Sequence, residues 1–294
     1  GLGWVISIYQ RGAASMHRIL LIWGQDPAIR DSEETDKCLT EVKGRIEFRD
    51  LTFTFPHAAE PALKKVSFGV EAGQTLGIVG SVGSGKSTIV GILARLYDPP
   101  PGSVFLDGRD IREYPLDVLR RSVGVVFQET YLFSDTITEN ICFGMKRGPS
   151  EELAQESARI AGVEEDILAF PEGFNTYLGE RGVNLSGGQK QRVSLARAVA
   201  ADPAILMLDD AFASVDTNTE ECILKSLRDV MRSRTTLLVS HRISTVQLAD
   251  QVIVLDDGQI VEHGSHAELV ARDGLYAEIY RRQLLEEAIA KAEE

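Results

Sequence analysis

The sequence predicts an α/β fold: a core built on a parallel sheet, with an antiparallel β subdomain and a helical insert. Three observations carry this. Ala204 to Leu208, Thr235 to Val239 and Val252 to Leu255 are uninterrupted apolar runs, the pattern of strands buried on both faces. Ile46, Phe48, Leu51, Phe53 and Phe55 instead alternate with polar residues, as in a sheet with one buried face. From Glu129 to about Ala200 strand signals vanish and helical stretches take over at Ser150 to Ala161, Glu165 to Phe170 and Gly187 to Ala200.

The first residues, Gly1-Leu2-Gly3-Trp4-Val5-Ile6-Ser7-Ile8-Tyr9, are apolar with aromatics, and Arg11, His17 and Arg18 follow. Aromatics followed by positive charge is the order expected where a membrane helix reaches the cytoplasm. An amphipathic cytosolic helix would carry the same pattern, and this stretch alone leaves both open. Gln25 to Lys43 mixes Asp, Glu, Pro, Ser and Thr with few large apolar groups, the composition of a linker, which puts a domain boundary near Gly44. The alternation that follows carries one extra residue at Asp50, which reads as a strand pair or a bulged strand, and Leu63 to Val70 supplies the next strand. After the apolar run Thr75 to Val79 comes a glycine-rich loop, with Ile89 to Leu96 continuing from it as a helix. Asp98-Pro99-Pro100-Pro101-Gly102 turns into a strand at Ser103 to Leu106, Asp107-Gly108 turns again, and Val123 to Phe127 is a further short strand. Ala277 to Glu294 reads as a charged, solvated helix.

At 294 residues and 44% hydrophobic the chain has material for one large domain or two modest ones. The net charge of −13 argues against nucleic acid as a partner. Cys38, Cys142 and Cys222 are odd in number and widely spaced, which suits a reducing compartment, gives no zinc site and predicts buried free thiols. No signal-peptide pattern opens the chain, and no apolar run is long enough to span a bilayer.

The loop Gly80-Ser81-Val82-Gly83-Ser84-Gly85-Lys86-Ser87-Thr88 between a strand and a helix is a P-loop. Its glycines let backbone N–H groups turn inward around phosphate oxygens, the helix beginning near Lys86 aims its positive dipole end at them, and Lys86 adds a full charge. Ser87 is placed to ligate Mg²⁺. Ile205-Leu206-Met207-Leu208-Asp209-Asp210 is an apolar strand delivering two carboxylates at its C-terminal end, the Walker B arrangement: Asp209 for Mg²⁺, Asp210 for the water attacking the γ-phosphate. Leu185-Ser186-Gly187-Gly188-Gln189 forms a second phosphate cradle, in which Ser186 caps a helix and the two glycines bare its first N–H groups. Two cradles accompany one full nucleotide site.

In this order, the P-loop, Leu-Ser-Gly-Gly-Gln, the paired aspartates and a downstream His241 resemble the nucleotide-binding domain of ABC transporters, over about Gly44 to Tyr280. The resemblance implies a P-loop NTPase (RecA-like) core at 44–294 with its helical insert at about 129–200. It implies ATP and Mg²⁺ as ligands, and head-to-tail pairing with a second nucleotide-binding domain as a homo- or heterodimer. Ser186, Gly187, Gly188 and Gln189 of one domain then close over the nucleotide held by Gly80, Ser81, Gly83, Ser84, Gly85, Lys86, Ser87 and Thr88 of the other, which accounts for the surplus cradle. Phe55 falls where an aromatic, usually tyrosine, stacks on adenine. Gln128 matches the Q-loop glutamine that meets Mg²⁺ beside Ser87 and Asp209, Asp216 matches the D-loop aspartate that crosses to the partner, and His241 matches the switch histidine that contacts the γ-phosphate.

Gly179-Glu180-Arg181-Gly182 and the stretch Tyr131 to Gly144 resemble the exporter branch. An exporter transmembrane domain on the cytoplasmic face of a membrane is then the implied second partner, and residues 1–43 read as the end of a membrane helix plus a linker. A soluble ABC ATPase acting on DNA or ribosomes lacks those exporter features; a non-catalytic ATP-binding module is kept open by one departure. Where the family normally has glutamate after the Walker B aspartate, this chain has Asp210, one methylene shorter. Aspartate there often marks the slow half of an asymmetric exporter; the other reading is a slower base in a homodimer.

Overall fold

The computed structural model describes residues 1–145 and 148–293, with the side chains of 287 and 290–293 outside the description. Helix α1 (Leu2–Trp23) has no buried residue. Among the described residues no helix is long and apolar enough to cross a membrane. The segment after it has no regular element but is pinned to the body: the Leu116 N–H donates to Asp31 at 2.9 Å, the Asp36 N–H donates to the Glu113 carbonyl at 2.8 Å, and Val42 is buried.

Strand β1 (Ile46–Phe53) pairs antiparallel with β2 (Leu63–Val70), and the register shifts between Phe48 and Leu51. There Asp50 takes a positive φ of 45° and its N–H donates to the Ser67 hydroxyl at 2.8 Å, so the extra residue is a bulge that keeps Phe48 and Leu51 both inward. Strand β3 (Thr75–Gly80) leads through the glycine-rich loop into α2 (Lys86–Leu93). That helix stops short of Leu96. Arg95 adopts φ 49°, the Leu96 N–H returns to the Gly91 carbonyl at 2.8 Å, and the buried Arg95 guanidinium is held by Asp98 at 2.7 Å. This is a helix-ending left-handed turn on a residue other than glycine, fixed by its side chain. Strands β4 (Val104–Leu106) and β5 (Arg109–Asp110) complete a four-stranded sheet in the order β2-β1-β4-β5.

Helix α3 (Leu116–Ser122) precedes β6 (Val123–Val126). Helices α4 (Ile137–Ile141), α5 (Glu151–Ile160), α6 (Glu164–Leu168) and α7 (Gly187–Ala200) then follow, with one isolated bridge, Thr136 to Tyr177, as the β pairing among the described residues of this stretch. Strand β7 (Ile205–Asp209), α8 (Thr217–Arg232), β8 (Thr235–Val239), α9 (Ile243–Val246), β9 (Gln251–Asp256), β10 (Gln259–Gly264), α10 (His266–Ala271) and α11 (Leu275–Glu293) finish the chain. The six-stranded sheet runs β10-β9-β3-β8-β7-β6. All its neighbours are parallel except β10 against β9, an edge hairpin turning at Asp257-Gly258, both with positive φ.

Parallel strands need cover on both faces, and β7 shows how they get it. Ile205 and Met207 pack into the core shared with the antiparallel sheet and α2, while Leu206 and Leu208 pack into the core shared with α5, α7, α8 and the insert residues Leu132, Ile137 and Phe174. Each such buried aliphatic side chain contributes roughly 1.5–3 kcal/mol of transfer free energy. Parallel pairing also brings the C-terminal ends of β3, β6, β7 and β8 to one edge, where the loops beginning at Ser81, Phe127, Asp210 and Ser240 emerge together. The cysteines differ from the buried set expected: all three are free, but only Cys142 is buried, because Cys38 lies in the exposed segment before β1 and Cys222 on the solvent face of α8.

Candidate functional site

The P-loop is shaped by close approaches. A Cβ on Gly80 would stand 2.1 Å from the Leu255 carbonyl oxygen, so only glycine lets β3 pass β9 there. Gly85 has φ +103°, and a Cβ on it would meet Leu63 Cδ2 at 2.6 Å. That close approach seats the P-loop against the start of β2, just after the β1–β2 loop that carries Phe55. Phe55 is half-buried and packs edge-on against Phe53 and Tyr97, at centroid distances of 5.1 and 5.0 Å.

Lys86 is buried, and its Nζ curls back to donate to the carbonyls of Gly80 at 2.9 Å and Ser81 at 2.8 Å. Burial pulls its pKa down, against the pull of Asp210 and Asp209. Asp209 shows the mirror image: burial pushes its carboxyl up, Asp210 adds to the rise, and the Ser87 hydroxyl and Lys86 oppose it. Two buried oxygens here, Ser84 Oγ and Asp209 Oδ1, have no hydrogen-bond partner among the described residues. A buried unpaired carboxylate oxygen costs free energy unless a ligand or cation completes it. Among the described residues no group of three or more His, Cys, Asp or Glu side chains could hold a metal alone. The Ser87 hydroxyl and the Asp209 carboxylate are hard oxygen donors, a set that fits Mg²⁺ sharing its coordination with substrate phosphates.

Asp210 follows directly, with φ 46° and its N–H bonded to the Val239 carbonyl at 2.9 Å. One of its carboxylate oxygens, Oδ1, faces His241 Nδ1 at 2.9 Å and accepts the His241 backbone N–H at 3.3 Å. The two residues named at the ends of β7 and β8 therefore form one linked unit. Gln128 lies exposed just past β6 on the same sheet edge.

The second cradle is built differently. Ser186 caps α7 in a reciprocal box: the Gln189 N–H donates to Ser186 Oγ at 3.2 Å and the Ser186 N–H to Gln189 Oε1 at 3.0 Å. Gln189 Nε2 donates to Asp166 at 2.8 Å, and Arg192 pairs with the same carboxylate at 2.7 Å. A Cβ on Gly188 would stand 2.8 Å from the Ser214 carbonyl, and the Ser214 N–H donates to Gln191 at 2.9 Å, so the start of α7 is seated on the loop that leads to Asp216. Asp216 caps α8 by accepting the Thr219 N–H at 2.9 Å, a bond that holds its carboxyl below the usual range. Among the described residues no hydrogen bond or ion pair joins 186–189 to 80–88: the chain gathers the P-loop, Asp209, Asp210 and His241 but not its own signature.

In the exporter-like stretches, Glu180–Gly182 is a short 3-10 turn with Arg181 at φ 53°. Tyr131, Phe133 and Phe143 form an aromatic chain, with Phe133 and Phe143 stacked at 4.2 Å. Arg197 of α7 lies near that stack and donates to the Asn140 carbonyl at 2.7 Å and the Tyr131 carbonyl at 2.9 Å, and burial pushes its pKa down to about 10. Sequence reasoning missed Arg197, Asp166 and the buried Glu220, which pairs with Arg242 and accepts Thr245 Oγ1 at 2.5 Å. None has a local sequence signal, since their partners lie far along the chain.

The family model "ABC transporter" matches residues 63–213. The ATP-dependent lipid A-core flippase of Salmonella paratyphi A is 40% identical over 275 residues, 94% of this chain and 47% of the relative. The flippase of the same name from Vibrio cholerae is 40% identical over 279 residues, again covering 47% of its length. The solved structure of a bacterial Atm1-family ABC exporter with ATP bound superposes with a TM-score of 0.87 at 38% identity, over 96% of this chain and 49% of that one. The chain thus spans about half the length of these relatives. With its P-loop NTPase fold and the family match covering half its length, the chain belongs to the ABC transporter family.

Proposed function

We propose that the chain is the ATP-binding and ATP-hydrolysing engine of an exporter, acting through head-to-tail closure with a second nucleotide-binding domain. The observation that carries this is the pair of phosphate cradles without a link between them: a P-loop where buried oxygens of Ser84 and the adjacent Asp209 have no partner among the described residues, and an exposed helix start whose side chains are already satisfied. A triphosphate seated on Gly80 to Thr88 presents its outer oxygens to the Ser186-Gly187-Gly188-Gln189 N–H groups of the facing domain, so ATP joins the two surfaces. Phe55 stacks on the adenine, Asp216 crosses the interface, and His241 meets the γ-phosphate.

Ser87, Asp209 and Gln128 would hold Mg²⁺, which when bound neutralises charge on the phosphates. Asp210 holds the attacking water and, through Oδ1, the His241 imidazole. Its reach is about 1 Å shorter than that of glutamate, a misplacement that costs on the order of a hundredfold in rate. We read this chain as the slow half of an asymmetric pair, its signature completing the partner's faster site. Residues 1–43 are read as the cytoplasmic end of a membrane helix and its linker, followed by the ATP-binding domain at 44–294. The relatives' names, flippase and exporter, support a place on the cytoplasmic face of a membrane beside an exporter transmembrane domain.

The test is MgATP hydrolysis by the purified chain at high protein concentration, wild type beside Asp210→Glu, with nucleotide binding confirmed for both. Turnover by the glutamate variant alone supports the asymmetric pair. Comparable activity in the wild type makes a homodimer the better account, and no turnover by either removes the hydrolytic reading.

A further inference from the structure

We infer that Gln283, on the C-terminal helix α11, is a positioning residue for His241, so that turnover depends on how α11 is seated. The inference rests on the reading of His241 as the residue that meets the γ-phosphate. Gln283 uses both ends of its side-chain amide. Its Nε2 donates to the His241 carbonyl at 2.5 Å, and its Oε1 accepts the Ile243 N–H at 2.8 Å. One side chain therefore bridges the two peptides that flank Arg242.

The Ile243 N–H is one of the unpaired donors at the start of α9, whose N-cap, Arg242, makes no side-chain cap. Gln283 supplies that cap from 40 residues away. The rest of the turn is fixed just as fully: the His241 N–H goes to Asp210, the Arg242 N–H to Ser240 Oγ at 3.0 Å, and the Arg242 guanidinium to the buried Glu220. His241 is thus held by its imidazole and N–H from the end of β7 and by its carbonyl from α11. Removing Gln283 frees one of these two anchors.

Attachment of α11 does not need this amide. Tyr276 and Ala277 are buried, and Ile279 and Tyr280 pack against the same core. The helix is anchored by its apolar first turns, and half-buried Gln283 lies beyond them, between Tyr280 and the exposed Leu284 and Leu285. A displacement of α11 at that point pulls directly on the backbone of the switch.

The experiment uses the full chain with Gln283→Met, which keeps the side-chain length and removes both hydrogen bonds, and Gln283→Glu, which keeps the acceptor for Ile243 but sets a carboxylate oxygen against the His241 carbonyl. Four quantities are measured: kcat and KM for MgATP, nucleotide affinity, Tm, and the imidazole ¹⁵N signals of His241, assigned by their loss in His241→Gln. The expected result is a kcat lower by about tenfold in both variants, with affinity within about twofold of wild type. The His241 signals should shift or broaden while those of His263 and His266 stay in place. Wild-type kcat with unmoved His241 signals overturns the inference, as does a lower Tm with unmoved His241 signals, which would make Gln283 a structural clip alone. A wild-type chain without turnover counts against the ATPase reading only if Asp210→Glu is inactive as well, and in either case the His241 signals then decide the inference by themselves.

Discussion

At the C-terminal edge of the parallel sheet, Asp209 and Ser84 carry buried oxygens with no partner among the described residues, and Lys86 and Asp209 both sit where burial disfavours their charge. At the start of α7, Ser186 and Gln189 close their hydrogen bonds on each other, Gln189 adds Asp166, and the surface is exposed. One region is left incomplete by the fold and the other is complete but uncovered. The difference matches two kinds of incoming surface. A small ligand that arrives alone must be drawn into a site prepared at the expense of stability, whereas a ligand already held by a facing domain needs only rigid N–H groups to land on.

The comparison breaks most visibly at Lys86. Lys86→Ala removes the buried cation of the incomplete region, and MgATP affinity measured with a fluorescent nucleotide should fall about a hundredfold, the scale of losing charge-assisted hydrogen bonds. Unchanged affinity would mean that the P-loop is not the nucleotide site. Phe55→Ala tests how far that region extends. Stacking worth about 1–3 kcal/mol predicts roughly tenfold weaker ATP binding, and an equal loss for inorganic triphosphate would show that the ring supports the loop rather than the base.

The smallest effect has the opposite sign. Asp209→Asn relieves the buried, unpaired carboxylate, so the nucleotide-free chain should gain about 2 °C in Tm while the further gain on adding MgATP shrinks. A drop in Tm without nucleotide would show that the carboxylate is not held at a cost. The same cost sets a direction with pH. Because the folded-state pKa of Asp209 is raised, the folded chain keeps this proton in a window where the unfolded chain has lost it, so its contribution to stability falls as pH rises through that window.

What could be read from sequence follows the range of the forces involved. The core strands were legible because a strand buried on both faces needs a continuous apolar run, and the P-loop because its glycines, lysine and hydroxyls are consecutive. The broken alternation at Asp50 left a strand pair and a bulged strand both open, and the structure holds the bulged strand. Strand β10 was not, because an edge strand with half its residues exposed carries little apolar signal, although the Asp257-Gly258 pair marks its hairpin. The end of α2 was misplaced because a buried Arg95, not a glycine, takes the left-handed turn. Cys38 and Cys222 were expected inside from residue type alone, and type says little about which face of an amphipathic helix or which side of a loop a thiol occupies. Gln283, Glu220 and Asp166 were invisible because each acts on backbone or side chains brought near only by the tertiary fold.

The central claim is that the two regions belong to one composite site supplied by two domains, and mixing two disabled chains tests it most directly. Lys86→Ala keeps the signature and loses the P-loop; Gly188→Ala keeps the P-loop and, through a Cβ 2.8 Å from the Ser214 carbonyl, unseats the signature. By sedimentation in MgATP, with Asp210→Asn in both to slow turnover, each variant alone should stay monomeric. The mixture should form dimers, because one intact composite site is restored. Dimers in Gly188→Ala alone, or no dimers in the mixture under conditions where the Asp210→Asn parent dimerises, would contradict the account.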